Sequence, residues 1–191
     1  WETPIFERVV YKIDVKLLIK RGFLCPVVSN GGGVKVDVSK VKHKGGEFLD
    51  SALESLYMSK TPEIVADIVK KGINRKAWLI FCVSIEHAEQ VTAELISHGV
   101  NTACYHSQSD NDYILDDFAN GRLKCLVNVN ILTTGSNFPI ADMCVLIRAT
   151  ESTALYVQIV GRVMRLYPDK HNALLLDYGG NVMRHGCIDD V

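Results

Sequence analysis

The chain has 191 residues, 48% hydrophobic and 23% charged, with a formal net charge of −1. That is enough apolar side chain for one substantial domain with its own core, and it excludes a low-complexity or collagen-like chain. The near-zero charge gives no overall basic footprint, so any nucleic-acid contact must come from a local cluster, and no uncharged apolar run approaches the length of about 18 residues that would suggest a membrane span.

Residues 1–60 read as an irregular linker or accessory segment. Asp14 to Arg21 suits a short helix stopped by Gly22, and Phe23 to Val28 a strand interrupted by Pro26. Ser29-Asn30-Gly31-Gly32-Gly33 reads as a flexible turn. Lys35 to Lys44 alternates valine with lysine and aspartate, as an exposed or edge strand would. Glu47 to Ser59 carries Phe48, Leu49, Leu53, Leu56 and Tyr57 at helical spacing.

From Thr61 the pattern becomes regular. Thr61-Pro62-Glu63 opens a helix with proline at its first turn, running to about Lys71. Ala77 to Val83 is a continuous apolar run of buried-strand length. Ser84 can cap a helix over Ile85 to His98. Thr102 to His106 is a strand, Asp110 to Asn120 a helix, and Cys125 to Val129 and Met143 to Ile147 are further strands. Ser152 to Leu166 reads as a helix, and Ala173 to Asp177 as a fifth strand. Strands and helices alternating at this pitch predict an α/β fold, a parallel sheet covered by helices on both faces, over residues 61–191. In such sheets ligands bind beyond the carboxyl ends of the strands. Ser84, His106, residues 130–135 and residues 148–151 all follow predicted strand ends.

The six cysteines include no C-x-x-C pair, and four of them (Cys82, Cys104, Cys125, Cys144) lie in the apolar runs. They read as free buried thiols of a reducing, cytoplasmic setting, not as a metal site. His87, His98 and His171 read as surface residues, and no nucleophile, histidine and acid fall into a catalytic arrangement. The first residue is Trp1 and no signal peptide is visible, which reads as a piece of a longer polypeptide.

One stretch carries chemistry. In Gln158-Ile159-Val160-Gly161-Arg162-Val163-Met164-Arg165, positions 158, 162 and 165 are spaced i, i+4, i+7 and would project from one stripe of a helix. Two guanidiniums aimed together repel unless an anion lies between them, and phosphate suits the planar arginine fork. The stretch fits an arginine finger for a terminal phosphate, or a basic surface face paired with carboxylates. A second candidate follows the strand at 125–129: Thr133-Thr134-Gly135-Ser136-Asn137 offers two hydroxyls, a glycine allowing close approach and an amide, suited to phosphate or ribose oxygens. No G-x-x-x-x-G-K-[ST] loop occurs anywhere, and no Asp-Glu pair follows an apolar strand to hold magnesium. The chain thus reads as half of an ATP site.

In this order, the blocks resemble the second RecA-like lobe of superfamily 2 helicases over about residues 60–180. Leu79 to Ser84 is similar to motif IV, Tyr105-His106-Ser107 to the block after it, Thr133 to Pro139 to motif V, and the 158–165 octapeptide to motif VI. Leu155-Tyr156-Val157-Gln158 and the run Asp177 to Gly186 resemble bacterial RadD-type (YejH-like) DNA-repair helicases. The resemblance implies an ATP-dependent helicase whose ATP and Mg²⁺ are held mainly by an N-terminal RecA-like lobe outside this chain. It implies Arg162 and Arg165 at the γ-phosphate, with Gln158 coupling that phosphate to the first lobe. It implies Gly135 and Asn137 near the ribose and the lobe interface. It places Ser84, His106, Ser107, Thr133 and Thr134 at the backbone of a nucleic acid, DNA for this group, by contacts that carry no sequence readout. The usual motif V has aspartate where this chain has Asn137, and often where it has Asn130. An asparagine cannot pair with arginine as an ion, so a non-catalytic nucleic-acid-binding or regulatory module is the alternative. A small-molecule α/β enzyme would need a G-x-G-x-x-G after its first strand, and none is present.

Overall fold

The computed structural model describes residues 13–39, 41, 43–111, 113–129 and 137–189. In chain order the elements are α1 (Val15–Lys20), β1 (Val27–Gly31), β2 (His43–Lys44), β3 (Glu47–Phe48), α2 (Asp50–Met58), α3 (Thr61–Gly72), β4 (Trp78–Cys82), α4 (Ile85–Ser97), β5 (Thr102–Tyr105), α5 (Tyr113–Ala119), β6 (Cys125–Asn128), β7 (Met143–Ile147), α6 (Thr153–Gly161), a 3-10 turn (Arg162–Met164), β8 (Ala173–Asp177) and α7 (Asn181–His185).

Six strands form one sheet in the order β1-β8-β7-β4-β6-β5, and every neighbouring pair is parallel. The sheet is buried on both faces because β4 and β7 are apolar at every position, and β6 and β8 at all but their last residues, Asn128 and Asp177, with alternate residues serving opposite cores. Ile80, Val127, Val145 and Leu176 meet Leu53, Tyr57, Ile64, Ile68, Val91 and Leu95 from α2, α3 and α4. Leu79, Leu126, Leu146 and Leu175 meet Phe118, Tyr156, Ile159, Val163 and Met164 from α5, α6 and the 3-10 turn. This is the α/β architecture expected, a RecA-like sheet flanked by helices.

The first 60 residues depart from expectation in three places. The strand read at 23–28 lies at Val27–Gly31 and takes in Ser29, Asn30 and Gly31 of the stretch read as a flexible turn. It pairs with β8 along one side only, and an outer strand with Ser29 and Asn30 exposed can carry residues that a central strand would not. Among the described residues the 35–44 stretch forms no continuous strand; only His43–Lys44 pairs, with Glu47–Phe48. Its alternation has another cause: Val34, Val36, Val38 and Val41 turn toward the core without a partner ladder. Glu47 begins in β3 rather than in a helix, which starts at Asp50. Among the described residues no helix is long and apolar enough to cross a membrane.

Candidate functional site

The arginine stretch is positioned by β7 and α6. After β7 the chain turns through residues 148–152, and Ser152 caps α6, its hydroxyl accepting the Leu155 N–H at 3.2 Å. The α-helix ends at Gly161, earlier than expected. Arg162 to Met164 wind as a tighter 3-10 turn, and Arg165 has extended backbone (φ −69°, ψ 143°). A 3-10 turn advances about 120° per residue against about 100° in an α-helix, so the residues after Gly161 rotate off the line set by α6 while Val163 and Met164 stay in the core. The stripe inferred from i, i+4, i+7 spacing therefore does not extend to Arg165. Gln158 is exposed on α6, and Arg162 and Arg165 are half-buried.

The charge of Arg165 is nevertheless felt at Arg162. Burial lowers the Arg162 pKa from the ordinary guanidinium value, and the positive charge of Arg165 lowers it further. Arg165 Nη1 donates to Asn137 Oδ1. That acceptor is neutral, so it orients the guanidinium without cancelling its charge. Residues 130–136, including Asn130, Thr133, Thr134 and Gly135, lie outside the described residues.

The site has two ends. α6 starts at the carboxyl edge of the sheet and runs back, which leaves the arginine turn at the amino-terminal end. The Lys170 ammonium shows this directly: it donates to the Arg165 carbonyl (2.9 Å) and to the carbonyls of Ala141 (2.6 Å) and Pro139 (3.1 Å), which precede β7. Ser84, His106 and Ser107 sit at the opposite, carboxyl edge, so the expectation of one shared ligand edge holds for them and not for the arginines.

At that carboxyl edge, side chains are occupied locally. The Ser84 hydroxyl caps α4 by accepting the His87 N–H at 3.2 Å and donates to Glu54, a carboxylate that opposes an approaching phosphate. His106 organises the turn after β5: its N–H donates to Ser109 Oγ at 2.9 Å, and its ring Nδ1 accepts the Gln108 N–H at 3.3 Å. Ser107 is exposed. His87 is not a surface residue. It is fully buried, stacked on Tyr57 with ring centroids 5.9 Å apart, and burial pushes its pKa down to about 4. Its place on the first turn of α4, facing α2, buries it.

The residues that sequence reasoning left without a role form the densest polar network. Asp177 ends β8. Its carboxylate accepts the N–H groups of Gly179 (3.0 Å) and Val182 (2.7 Å) and the Asn181 amide (2.9 Å). Asn181, fully buried, donates to the Arg148 carbonyl at 2.8 Å and accepts the Thr150 N–H at 3.0 Å. His185 Nε2 meets the Thr150 carbonyl at 2.9 Å. Glu47 of β3 accepts the Thr150 hydroxyl (3.1 Å) and the Glu151 N–H (3.0 Å). A side chain at Gly179 would place Cβ 2.1 Å from the Arg148 carbonyl oxygen, and Gly180 has φ +69°. The signal was legible: an aspartate closing an apolar strand, then Tyr178 and two glycines, marks a place where backbones crowd. The network holds the loop from which α6 departs.

Several known proteins resemble this chain. The model of the helicase conserved C-terminal domain matches residues 60–167, and the chain belongs to that family. The Saccharomyces cerevisiae protein IRC3, named as an ATP-dependent helicase, is 29% identical over 187 residues, 93% of this chain and 27% of its own length. The Bos taurus protein DDX52, named as an ATP-dependent RNA helicase, is 30% identical over 143 residues, 68% of this chain and 24% of its own length. A fragment named as an HsdR subunit of a type I restriction enzyme from Vibrio vulnificus superposes with a TM-score of 0.74 over 95% of this chain and 37% of its own, at 24% identity, a likeness of fold. The chain therefore spans about a quarter of the length of these two curated relatives.

Proposed function

We propose that this chain is the second motor lobe of an ATP-dependent helicase or translocase of the RadD-type group, with residues 61–191 as the lobe and residues 1–60 as the segment leading into it. The observation that carries the reading is the arginine turn. Arg162 opens the 3-10 turn and Arg165 follows its end, and Arg165 is oriented by the neutral amide of Asn137. A terminal phosphate group satisfies such a pair better than any single carboxylate side chain, because its oxygens offer several acceptors to two forks.

The residues present fit the terminal phosphate of a nucleotide and not its whole binding site. Arg162 and Arg165 would bind that phosphate from one side, with Asn137 orienting Arg165. The β- and γ-phosphate cradle and the magnesium ligands would come from the first lobe, since this chain has no phosphate loop. The nucleotide supplies the phosphoryl bond whose cleavage drives the motor; the arginines of this chain stabilise negative charge on the oxygens they touch. Gln158, exposed on α6 just before the arginine turn, would face the first lobe. Thr133, Thr134, Ser107 and His106 are the proposed contacts to the nucleic-acid backbone, and Gly135 the proposed approach to the ribose. Ser84 is the weakest of the set, because Glu54 occupies its hydroxyl.

DNA is the strand assigned, on the resemblance carried by residues 155–158 and 177–186; the likeness to an RNA helicase makes RNA the competing outcome. The test is ATP hydrolysis by a polypeptide joining this chain to a phosphate-loop lobe, with single-stranded DNA or RNA added. DNA-stimulated turnover lost in Arg165→Ala supports the reading, and RNA-only stimulation overturns the strand assignment. Nucleic-acid binding without any turnover would favour a non-catalytic module, the reading that Asn137 in place of an aspartate supports.

A further inference from the structure

The arginine turn ends in two backbone carbonyls, and a partner holds each. The Met164 carbonyl accepts the Cys25 N–H at 2.7 Å, from the segment before β1. The Arg165 carbonyl accepts from Lys170 Nζ at 2.9 Å. An ammonium has three N–H donors and no acceptor. The other two donors of Lys170 go to Ala141 at 2.6 Å and Pro139 at 3.1 Å, two to four residues after Asn137. Three donors meet three carbonyl oxygens drawn from two separate segments, and those segments carry the guanidinium of Arg165 and the amide that orients it.

The backbone leading to Lys170 is shaped for this. Tyr167 to Lys170 form a turn closed by the Lys170 N–H to the Tyr167 carbonyl at 3.1 Å, with Pro168 second and Asp169 third. Asp169 has φ +62° and is the only non-glycine residue with positive φ among the described residues. A left-handed residue at that position after proline is the pattern of a type II turn, which strongly prefers glycine there. The turn brings Lys170 back beneath the arginine turn, and its side chain leaves solvent to get there. An amine placed among carbonyl dipoles, where burial lowers its pKa from the ordinary ammonium value, is a costly way to fill space: an apolar side chain would do that without desolvating a charge.

We infer that Lys170 is a positioning residue: its ammonium ties the end of the arginine turn to the segment bearing Asn137, so that Arg165 and its amide acceptor are held in register. The inference rests on the arginine reading above but is read out separately. Its mechanism is preorganisation, in which the guanidinium is aimed before any phosphate arrives and little reorientation is left to be done.

The test uses nitrogen-15 NMR on the 191-residue chain. In the wild type, the Lys170 ammonium protons exchange with water more slowly than those of exposed lysines, on the order of tenfold or more, and the Arg165 Nε–H is ordered. In Lys170→Met the Arg165 order parameter falls below about 0.6 while the β8 amides keep their shifts; in Lys170→Arg, which keeps the charge, much of the order returns. An Arg165 that stays ordered in a folded Lys170→Met overturns the inference. Should that variant not fold, unprotected ammonium protons in the wild type overturn it equally. Turnover by the two-lobe polypeptide separates the two readings. If Arg165→Ala leaves ATP hydrolysis unchanged while Lys170→Met frees Arg165, the finger assignment falls and the clamp stands; if Arg165→Ala abolishes hydrolysis and Lys170→Met does not move Arg165, the clamp falls alone.

Discussion

The two ends of β7 treat charge in opposite ways. Beyond its carboxyl end, Asp177, Asn181, Thr150 and Glu47 spend their hydrogen-bonding capacity on one another and on nearby backbone, and the Glu151 carboxylate pairs with Arg184 at 3.1 Å. Before its amino end, backbone carbonyls are satisfied by Lys170 and Cys25, while the Arg165 guanidinium is held by a neutral amide and stays half-exposed. The contrast separates scaffold from candidate chemistry. A polar cluster that closes on itself holds a loop in place, whereas one that fixes backbone and holds a guanidinium by a neutral acceptor keeps a positive charge near the surface. α6 joins the two, since the first cluster anchors its start and the second receives its end.

That division can be broken by experiment. The largest effect is expected at the arginine turn: in the two-lobe polypeptide, Arg165→Ala should lower ATP turnover about 10³-fold, about 4 kcal/mol of transition-state stabilisation, measured as kcat at saturating nucleotide. The same substitution should leave the melting temperature of this chain nearly unchanged, and a large loss of stability would erase the distinction. The carboxyl edge should instead respond to pH through His87. Its folded pKa, about 4, lies below the unfolded value near 6.5, so the unfolded chain binds the extra proton between them. Stability is therefore full above pH 6.5 and falls as pH drops toward 4, by about 3 kcal/mol. Urea titrations across that window should show the loss in the wild type and a smaller one in His87→Phe. Asn181→Ala removes three hydrogen bonds from buried groups and should cost about 2–3 kcal/mol by chemical denaturation; a cost under half of that would mean water replaces the amide. The smallest effect is a gain. Asp169→Gly relieves a left-handed aspartate and should raise stability by about 0.5–1 kcal/mol, sharpening the assignment of strain to the lysine turn.

Much of this was legible in the residues. The apolar runs at 78–82, 143–147 and 173–177 could only be buried parallel strands, and Ser84 and Ser152 mark helix starts because a hydroxyl at that position satisfies a free N–H. The arginine pair was legible as a pair through its spacing, although the geometry behind it was not. An α-helical stripe assumes constant winding, and the winding changes at Gly161, where α6 gives way to a 3-10 turn. His87 read as a surface residue because its chain neighbours Glu86 and Glu89 are exposed, while the residue that covers it, Tyr57, is thirty positions away. Lys170 carried no signal at all.

Hydrophobic period, capping hydroxyls and glycine punctuation are local, and they determined the alternation of strands and helices, the parallel sheet and the family to which the chain belongs. Which end of the sheet the arginines occupy, and what orients them, depended on contacts across long stretches of chain: Asn137 with Arg165, Lys170 with Pro139 and Ala141, Glu47 with Thr150. No local pattern encodes such contacts, because each partner is an ordinary residue in its own surroundings until the folded backbone sets the two within hydrogen-bonding reach.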